Sequence, residues 1–346
     1  MTSPDAAAPG RLGRRRILAG IVGAVLAVGF LLWALRGVHL DQVVGQIRNA
    51  DPWPLALGVV LGTLTFVIRL ARWRLMLRDE SGAPLKLWPL WHAIAIGFMA
   101  NNILPFRAGE LVRVFAATKL SGARFTAAMS SVAVERVFDA LAVIGLLAAG
   151  LLVSHLPSGV VVGGVSLTHA AQVAGLLSLG ALLVAGSIVA FPLTAERVAR
   201  RVMPPGRLVD RIVDLIEGIR HGLASLRSPG LLAGVVVWSV VHWLVNAAAL
   251  WVTFAAFDIP VGFEGALVLQ GILAIGISVQ LTPGFVGQFE AAIVAGLALY
   301  GISNEVASSY ALAFHGATFV PISLAGAWSL ARTPVHLSDL RSAPEA

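Results

Sequence analysis

The chain of 346 residues contains no cysteine. That excludes disulfides, thiol catalysis and cysteine-ligated metals. It is also poor in charge. Asp, Glu, Lys and Arg make up 12% of it, against roughly 25% in a soluble globular domain. From Ser228 to Ala331 there is no lysine or arginine at all. The eight histidines form no HExxH pair and no histidine-rich tract, so no metal site is expected. There is no GxxxxGK[ST] loop either, so no cofactor or nucleotide-driven step is expected.

What the chain has instead is apolar length. Hydrophobic residues make up 58% of it, and the mean hydropathy is +0.85. Several apolar runs approach the roughly 20 residues that a helix needs to cross a bilayer. The short alternating segments of an outer-membrane barrel are absent. The expected fold class is therefore an all-α polytopic membrane protein. The net charge of +7 is assigned to cytoplasmic Lys and Arg beside spans, not to a nucleic-acid surface, because of where it lies.

Arg11, Arg14, Arg15 and Arg16 precede the apolar run 17–35. That run is long for a signal core and no small-x-small cleavage site follows it, so it is expected to stay as a first span. Span two, about 53–77, leads into Arg72, Arg74, Arg78 and Lys86. The next run, 87–104, is followed by Arg107, Arg113, Lys119 and Arg124. Both flanks are basic, so both are placed inside. A segment that begins and ends on one side is a re-entrant hairpin, here over 87–119 and broken at "NNILPFRAGE". Spans at 125–153 and 171–191 enclose a loop without Lys or Arg, expected outside. Arg197, Arg200, Arg201, Arg207 and Arg211, with Leu208, Ile212, Leu215 and Ile219 at helical spacing, predict an amphipathic cytoplasmic linker over 194–228. A span at 231–257, a run at 265–302 and a last span at 306–330 follow. The middle run has no basic residue on either flank, which predicts a second hairpin entering from the opposite face.

The two hairpins share a pattern. "AIGFMANNILPFRAGE" and "AIGISVQLTPGFVGQFE" each run Ala-Ile-Gly, polar amide, Pro, Gly four residues on, then Glu. Opposite orientation and a shared pattern predict an inverted-topology repeat of about six full spans plus two re-entrant broken helices. The organisation expected is a basic tail at 1–16, one transmembrane domain at 17–331 with halves at about 53–153 and 229–331, and a tail at 332–346. Both termini are expected in the cytoplasm. Broken helices are tolerated in lipid only against protein or a water-filled cavity, and their free N–H groups can hold an anion. The candidate site therefore includes Asn101, Pro105, Gly109, Pro283, Gly284 and Gly287.

A charge at the centre of a spanning helix costs roughly 2.5–3.5 kcal/mol on insertion scales. Arg69, Arg72, Arg107, Glu110, Arg113, Glu135, Arg136, Asp139, Glu290 and His315 all lie in or beside apolar runs. Arg69, Arg72 and Asp139 have three readings: structural pairs, substrate ligands or, for the arginines, snorkelling to the interface. Arg107, Arg113 and Arg136 suit phosphate, since a guanidinium matches its geometry. Glu110 and Glu135 would balance them. Glu290 has three open roles: ligand for a cationic headgroup, proton carrier, or cap of the broken helix.

"RLARWRLML", "NNILPFRAGELVRV", "ERVFD" and "TPGFVGQFEAA", in this order, resemble the lysylphosphatidylglycerol synthase transmembrane region family, over about 17–331. Phe285 stands where a second glycine is usual in that family's Pro-Gly-Gly-x-Gly-x-x-Glu pattern. The resemblance implies an inner-membrane flippase-like protein whose partner is a membrane lipid with a polar headgroup. Aminoacylated phospholipid, glycolipid and polyprenyl-linked sugar are the candidate classes. Two-domain members carry an aminoacyltransferase domain, which this chain is expected to lack. Enzymatic activity is thus not expected, and a separate lipid-modifying enzyme is an implied partner. The alternatives are a membrane enzyme using Glu135 and Asp139 as acid and base on a lipid-linked substrate, and a small-solute secondary transporter.

Overall fold

The computed structural model describes residues 39–79, 82–154, 161–162, 165–202 and 228–335, with isolated positions inside 25–35 and 206–216. The expected first span and both tails lie largely or wholly outside the described residues, as does most of the amphipathic linker. Two strands of two residues, Val161–Val162 and Val165–Ser166, and a single bridge between Arg78 and Pro84 are the extended pairings among the described residues. The regular structure is otherwise helical. Among the described residues five helices are long and apolar enough to cross a membrane.

Two groups of four helices follow one plan. The first comprises α2 (Pro52–Met76), α3 (Leu87–Ile103), α4 (Ala108–Ser121) and α5 (Phe125–Val153), with α1 (Leu40–Asn49) before them. Then come α6 (Leu167–Ala190) and the basic α7 (Pro192–Val202). The second group is α8 (Pro229–Phe254), α9 (Phe263–Gly276), α10 (Gln288–Ala298) and α11 (Asn304–Arg332). In each group two long helices enclose two short ones separated by a break.

Local chemistry sets these boundaries. Both leading spans start with a capping side chain followed by proline at the first helical position, where its missing N–H costs nothing. Asp51 accepts from Trp53 N at 2.9 Å before Pro52, and Ser228 accepts from Leu231 N at 3.2 Å before Pro229. Gly122, at φ 71°, ends α4. In the first break Phe106 and Arg107 hold φ of 57° and 53°. In the second, Gly284, Phe285 and Gly287 hold φ of 59°, 60° and 81°. Left-handed backbone is open to glycine and costs other residues roughly 1–2 kcal/mol. That is the physical sense of a glycine at position 285, and Phe285 carries the strain instead.

Each group has its own core. Trp73, Leu90, Ile94, Ile96, Val114 and Val134 centre the first. Leu250, Phe254, Leu269, Ile293, Leu297 and Tyr310 centre the second. The groups are joined along α2 and α8, and by an exchange of partners: α11 packs on α3, and α5 packs on α9. Glycines permit these close approaches, as membrane packing requires. A Cβ on Gly326 would overlap Met99 and the carbonyl of Ala95, and one on Gly150 would meet Leu267 and the carbonyl of Glu264. Between α3 and α4, Gly109 lies against Asn101 and the carbonyl of Gly97, with no room for a side chain.

Candidate functional site

The spacing seen in sequence puts Arg69 and Arg72 on one face of α2, and Glu135, Arg136 and Asp139 on one face of α5. The fold sets these faces together and adds Arg113 from α4 and Ser239, His242 and Trp243 from α8. Glu135 is fully buried and is the hub. It pairs with Arg69, accepts from both Nη atoms of Arg113 (3.2 and 2.9 Å), accepts from Arg136 Nη2 at 2.8 Å, and lies 3.3 Å from Arg72 Nη2. Asp139 takes Arg72 Nη1 at 2.6 Å, Trp243 Nε1 at 3.0 Å and Arg136 Nη2 at 3.0 Å. Ser239 Oγ accepts from Arg72 Nη1 at 2.9 Å. Arg69 Nη2 lies 2.9 Å from His242 Nε2. Arg113 stacks on Trp73, 3.7 Å from its ring centre.

Arg69 and Arg72 therefore do not snorkel; both are buried in pairs. The partly exposed edge of the network is different. Arg136, Arg107 and Glu110 have side-chain exposures of 35%, 27% and 25%. Glu110 lies 3.1 Å from Arg107 and 3.7 Å from Arg136. Among the described residues, five arginines thus face three carboxylates, an excess of two positive charges when all are ionised. Buried charges need partners, and a surplus of arginine at an exposed edge suits an anion.

The second break lies against the first. Gln280 Nε2 donates to the carbonyls of Asn101 (2.6 Å) and Leu104 (2.9 Å). Gln280 also accepts, through its backbone oxygen from Phe106 N at 3.0 Å and through Oε1 from Arg107 N at 3.1 Å. Arg107 Nη2 reaches the carbonyl of Ile277 at 3.0 Å. Gln288 knots the second break itself: Oε1 accepts from Leu281 N and Thr282 N, and Nε2 donates to Val279 O at 3.0 Å. Gly284 packs against Asn102 and Phe319. Pro283 opens the short 3-10 turn Pro283–Phe285, and the carbonyl of Pro105 accepts from Ala108 N at 3.3 Å.

Glu290 and His315 stand apart from the arginines. Glu290 Oε2 accepts from Gly287 N at 2.6 Å, which caps α10. Its Oε1 lies 2.7 Å from His315 Nδ1, within hydrogen-bond distance. The capping role left open by the sequence is thus present.

An apolar groove of about 580 Å³ runs between α5, α6 and α8. Phe138, Leu141, Leu183, Leu232 and Val236 line it, and Ser239 links it to Arg72. Among the described residues no group of three or more His, Asp or Glu is arranged to hold a metal.

Sequence reasoning gave no site role to Gln280, Gln288, Trp73, Ser239, His242 or Trp243. Gln280 and Gln288 did leave a signal, since primary amides inside an apolar run need partners. Ser239, His242 and Trp243 lie in the span "VVVWSVVHWLVN", and a histidine there is a comparable signal.

These features define a multi-pass α-helical membrane protein with a polar interior. Comparison places it further. Residues 20–326 match the model described as the lysylphosphatidylglycerol synthase TM region, and the chain belongs to that family. It is 28% identical to Glycosyltransferase AglD of Haloferax volcanii over 82% of this chain and 49% of that protein, so it spans about half the length of that relative. It is 22% identical to a UPF0104 membrane protein of Methanothermobacter thermautotrophicus, over 88% of this chain and 89% of the relative. A UPF0104 membrane protein of Methanocaldococcus jannaschii is 28% identical over 33% of this chain and 34% of its own.

Proposed function

We propose that this chain is a translocase for a lipid with an anionic headgroup, lying in the cytoplasmic membrane with both termini inside. One observation carries the reading. The exposed edge of a net-positive arginine network, Arg107 and Arg136 around Glu110, adjoins the place where two chain breaks are bonded to each other.

The short helices support treating the breaks as re-entrant hairpins. At 1.5 Å per residue, the 11 residues of α10 rise about 16 Å, half of a hydrocarbon core of about 30 Å. The exchange of partners, α11 on α3 and α5 on α9, supports an inverted repeat, because a two-fold relation between the halves requires such reciprocity. Strained residues in both breaks support a working site, since strain of this kind gathers at such places.

In this mechanism the phosphate of the lipid docks on Arg107 and Arg136. Arg113, held bidentately by Glu135 and buried, positions that carboxylate instead of meeting the lipid. Acyl chains stay in the bilayer, and the groove beside Ser239 gives them a path next to the headgroup. No catalysis is assigned to this chain. Glu135 and Asp139 are both engaged by guanidinium groups, which leaves neither free as a general base.

Purified protein in liposomes with headgroup-labelled lipids tests the proposal. Anionic phospholipid, aminoacylated phospholipid and a sugar-bearing polyprenyl lipid are the substrates to use, the last because one relative is named a glycosyltransferase. Movement of at least one class above empty liposomes is expected, and no movement of any class overturns the reading.

A further inference from the structure

We propose that Glu290 and His315 form a proton-binding site at the second break, and that its occupancy drives or gates lipid movement. The coupling rests on the translocase reading; proton binding does not.

With Glu290 ionised its oxygens can only accept, and the 2.7 Å contact then makes His315 Nδ1 the donor. The neutral ring then carries its hydrogen on Nδ1 and leaves Nε2 bare. A proton from water adds at Nε2, the ring becomes an imidazolium, and the contact with Glu290 becomes charge-assisted. No other bond changes, and loss of the proton reverses the step. The imidazole lies on the face of Phe289, with centroids 4.3 Å apart and planes 22° apart. An aromatic face attracts a cation at that distance. The His315 side chain is 13% exposed and that of Glu290 is 5% exposed, so the ring is the more open member of the pair.

The buried His242 cannot serve in the same way. Its Nε2 faces Arg69 Nη2, which only donates, so a proton on that nitrogen would oppose a permanent cation.

Among the described residues, α1, α2, α3, α8 and α10 pack on α11, which carries His315. α10 presents Glu290. α3 carries His92, bonded to Ser329 at 3.0 Å, far along α11 from His315. α2 carries Arg69 and Arg72, and α8 carries His242, all tied into the first network; α2 also carries Arg74 near its end, whose Nε donates to the carbonyl of Leu85 at 2.9 Å. α1 carries Asp41 and Arg48 at its two ends, and α11 has Glu305 and Arg332 at its own. Among the described residues no arginine is placed to hold Glu290 ionised as the network holds Glu135.

The site is mechanically connected to the break. The second oxygen of Glu290 holds Gly287 N, the cap of α10. Phe319, edge-on to His315, fills the space beside Gly284. A change of charge on the ring therefore alters the pull on the carboxylate that closes the turn.

Two measurements test this. In the first, lipid movement is followed in proteoliposomes from about pH 5 to 8, where histidine side chains ordinarily change charge. The wild-type rate is expected to vary several-fold over that range and to respond to an imposed pH difference. His315→Gln, whose amide can still donate to Glu290, is expected to be flat. A His315→Gln protein that keeps the full pH response overturns the proposal.

The second is histidine-selective NMR of the intact protein in micelles, which needs no lipid transport. One resonance missing from His315→Gln and shifted in Glu290→Gln should titrate reversibly. If that resonance does not titrate, the proton site is overturned whatever the lipid assay shows. If it titrates and no lipid moves, the translocase reading and the coupling fail while the proton site stands.

Discussion

The two breaks answer the same structural problem with different chemistry. The first is bordered by guanidinium groups that cannot lose their charge, held against carboxylates. The second is held by neutral amides, Gln280 and Gln288, and by a carboxylate shared between a backbone cap and a histidine. The first arrangement offers a permanent positive edge suited to a phosphate. The second contains groups whose charge can change. A translocase with these parts would bind headgroup at one break and exchange protons at the other.

Several substitutions would break or sharpen that contrast. The largest effect is expected from Glu135→Gln. It removes the hub of a buried network and leaves the arginines short of charge, which should cost about 3–5 kcal/mol. A thermal unfolding scan in detergent should show the loss, and Glu290→Gln, which keeps an acceptor for Gly287 N, should lose far less. A similar loss in both would erase the distinction between a charge-held break and an amide-held one.

Gln280→Leu tests whether the breaks are one unit. It strands the carbonyls of Asn101 and Leu104 and the amide of Arg107, at about 1–3 kcal/mol for unsatisfied buried groups. Hydrogen exchange should rise at Phe106 and Arg107 as well as around position 280. A rise confined to the second break would mean the two are independent.

Phe106→Gly probes stored strain. Phe106 is exposed and left-handed, so glycine should raise stability by about 1 kcal/mol. Any slowing of lipid movement in this variant would tie the strain to function. Arg136→Gln should cost less stability than Glu135→Gln, because Glu135 keeps Arg69, Arg72 and Arg113 and Asp139 keeps Arg72. It should nonetheless lower lipid movement, because Arg136 is at the exposed edge of the network. Normal movement in Arg136→Gln would remove phosphate docking from that edge.

Much of this is legible in the amino-acid order. Apolar run lengths mark the long helices, and Pro105, Pro283 and their following glycines mark the breaks between short ones. The scarcity of charge singles out Arg69, Arg72, Arg113, Glu135, Arg136 and Asp139 as groups in need of partners. The four-helix groups begin at Pro52 and Pro229, each a proline directly after a capping residue, which is a local signal. The choice between pairing and snorkelling for Arg69 and Arg72 is not legible, because either keeps a guanidinium solvated or paired. Nor is the role of Gln280, which reads locally as one polar residue in an apolar run.

The sequence by itself determined where helices start, stop and break, because capping, proline geometry and apolar length act over a few residues. Only the tertiary structure decided which of the charges meet. Arg69 finds Glu135 across 66 positions, and Gln280 finds Asn101 across 179. Such contacts depend on how whole helices pack, and no local pattern of residues carries that information.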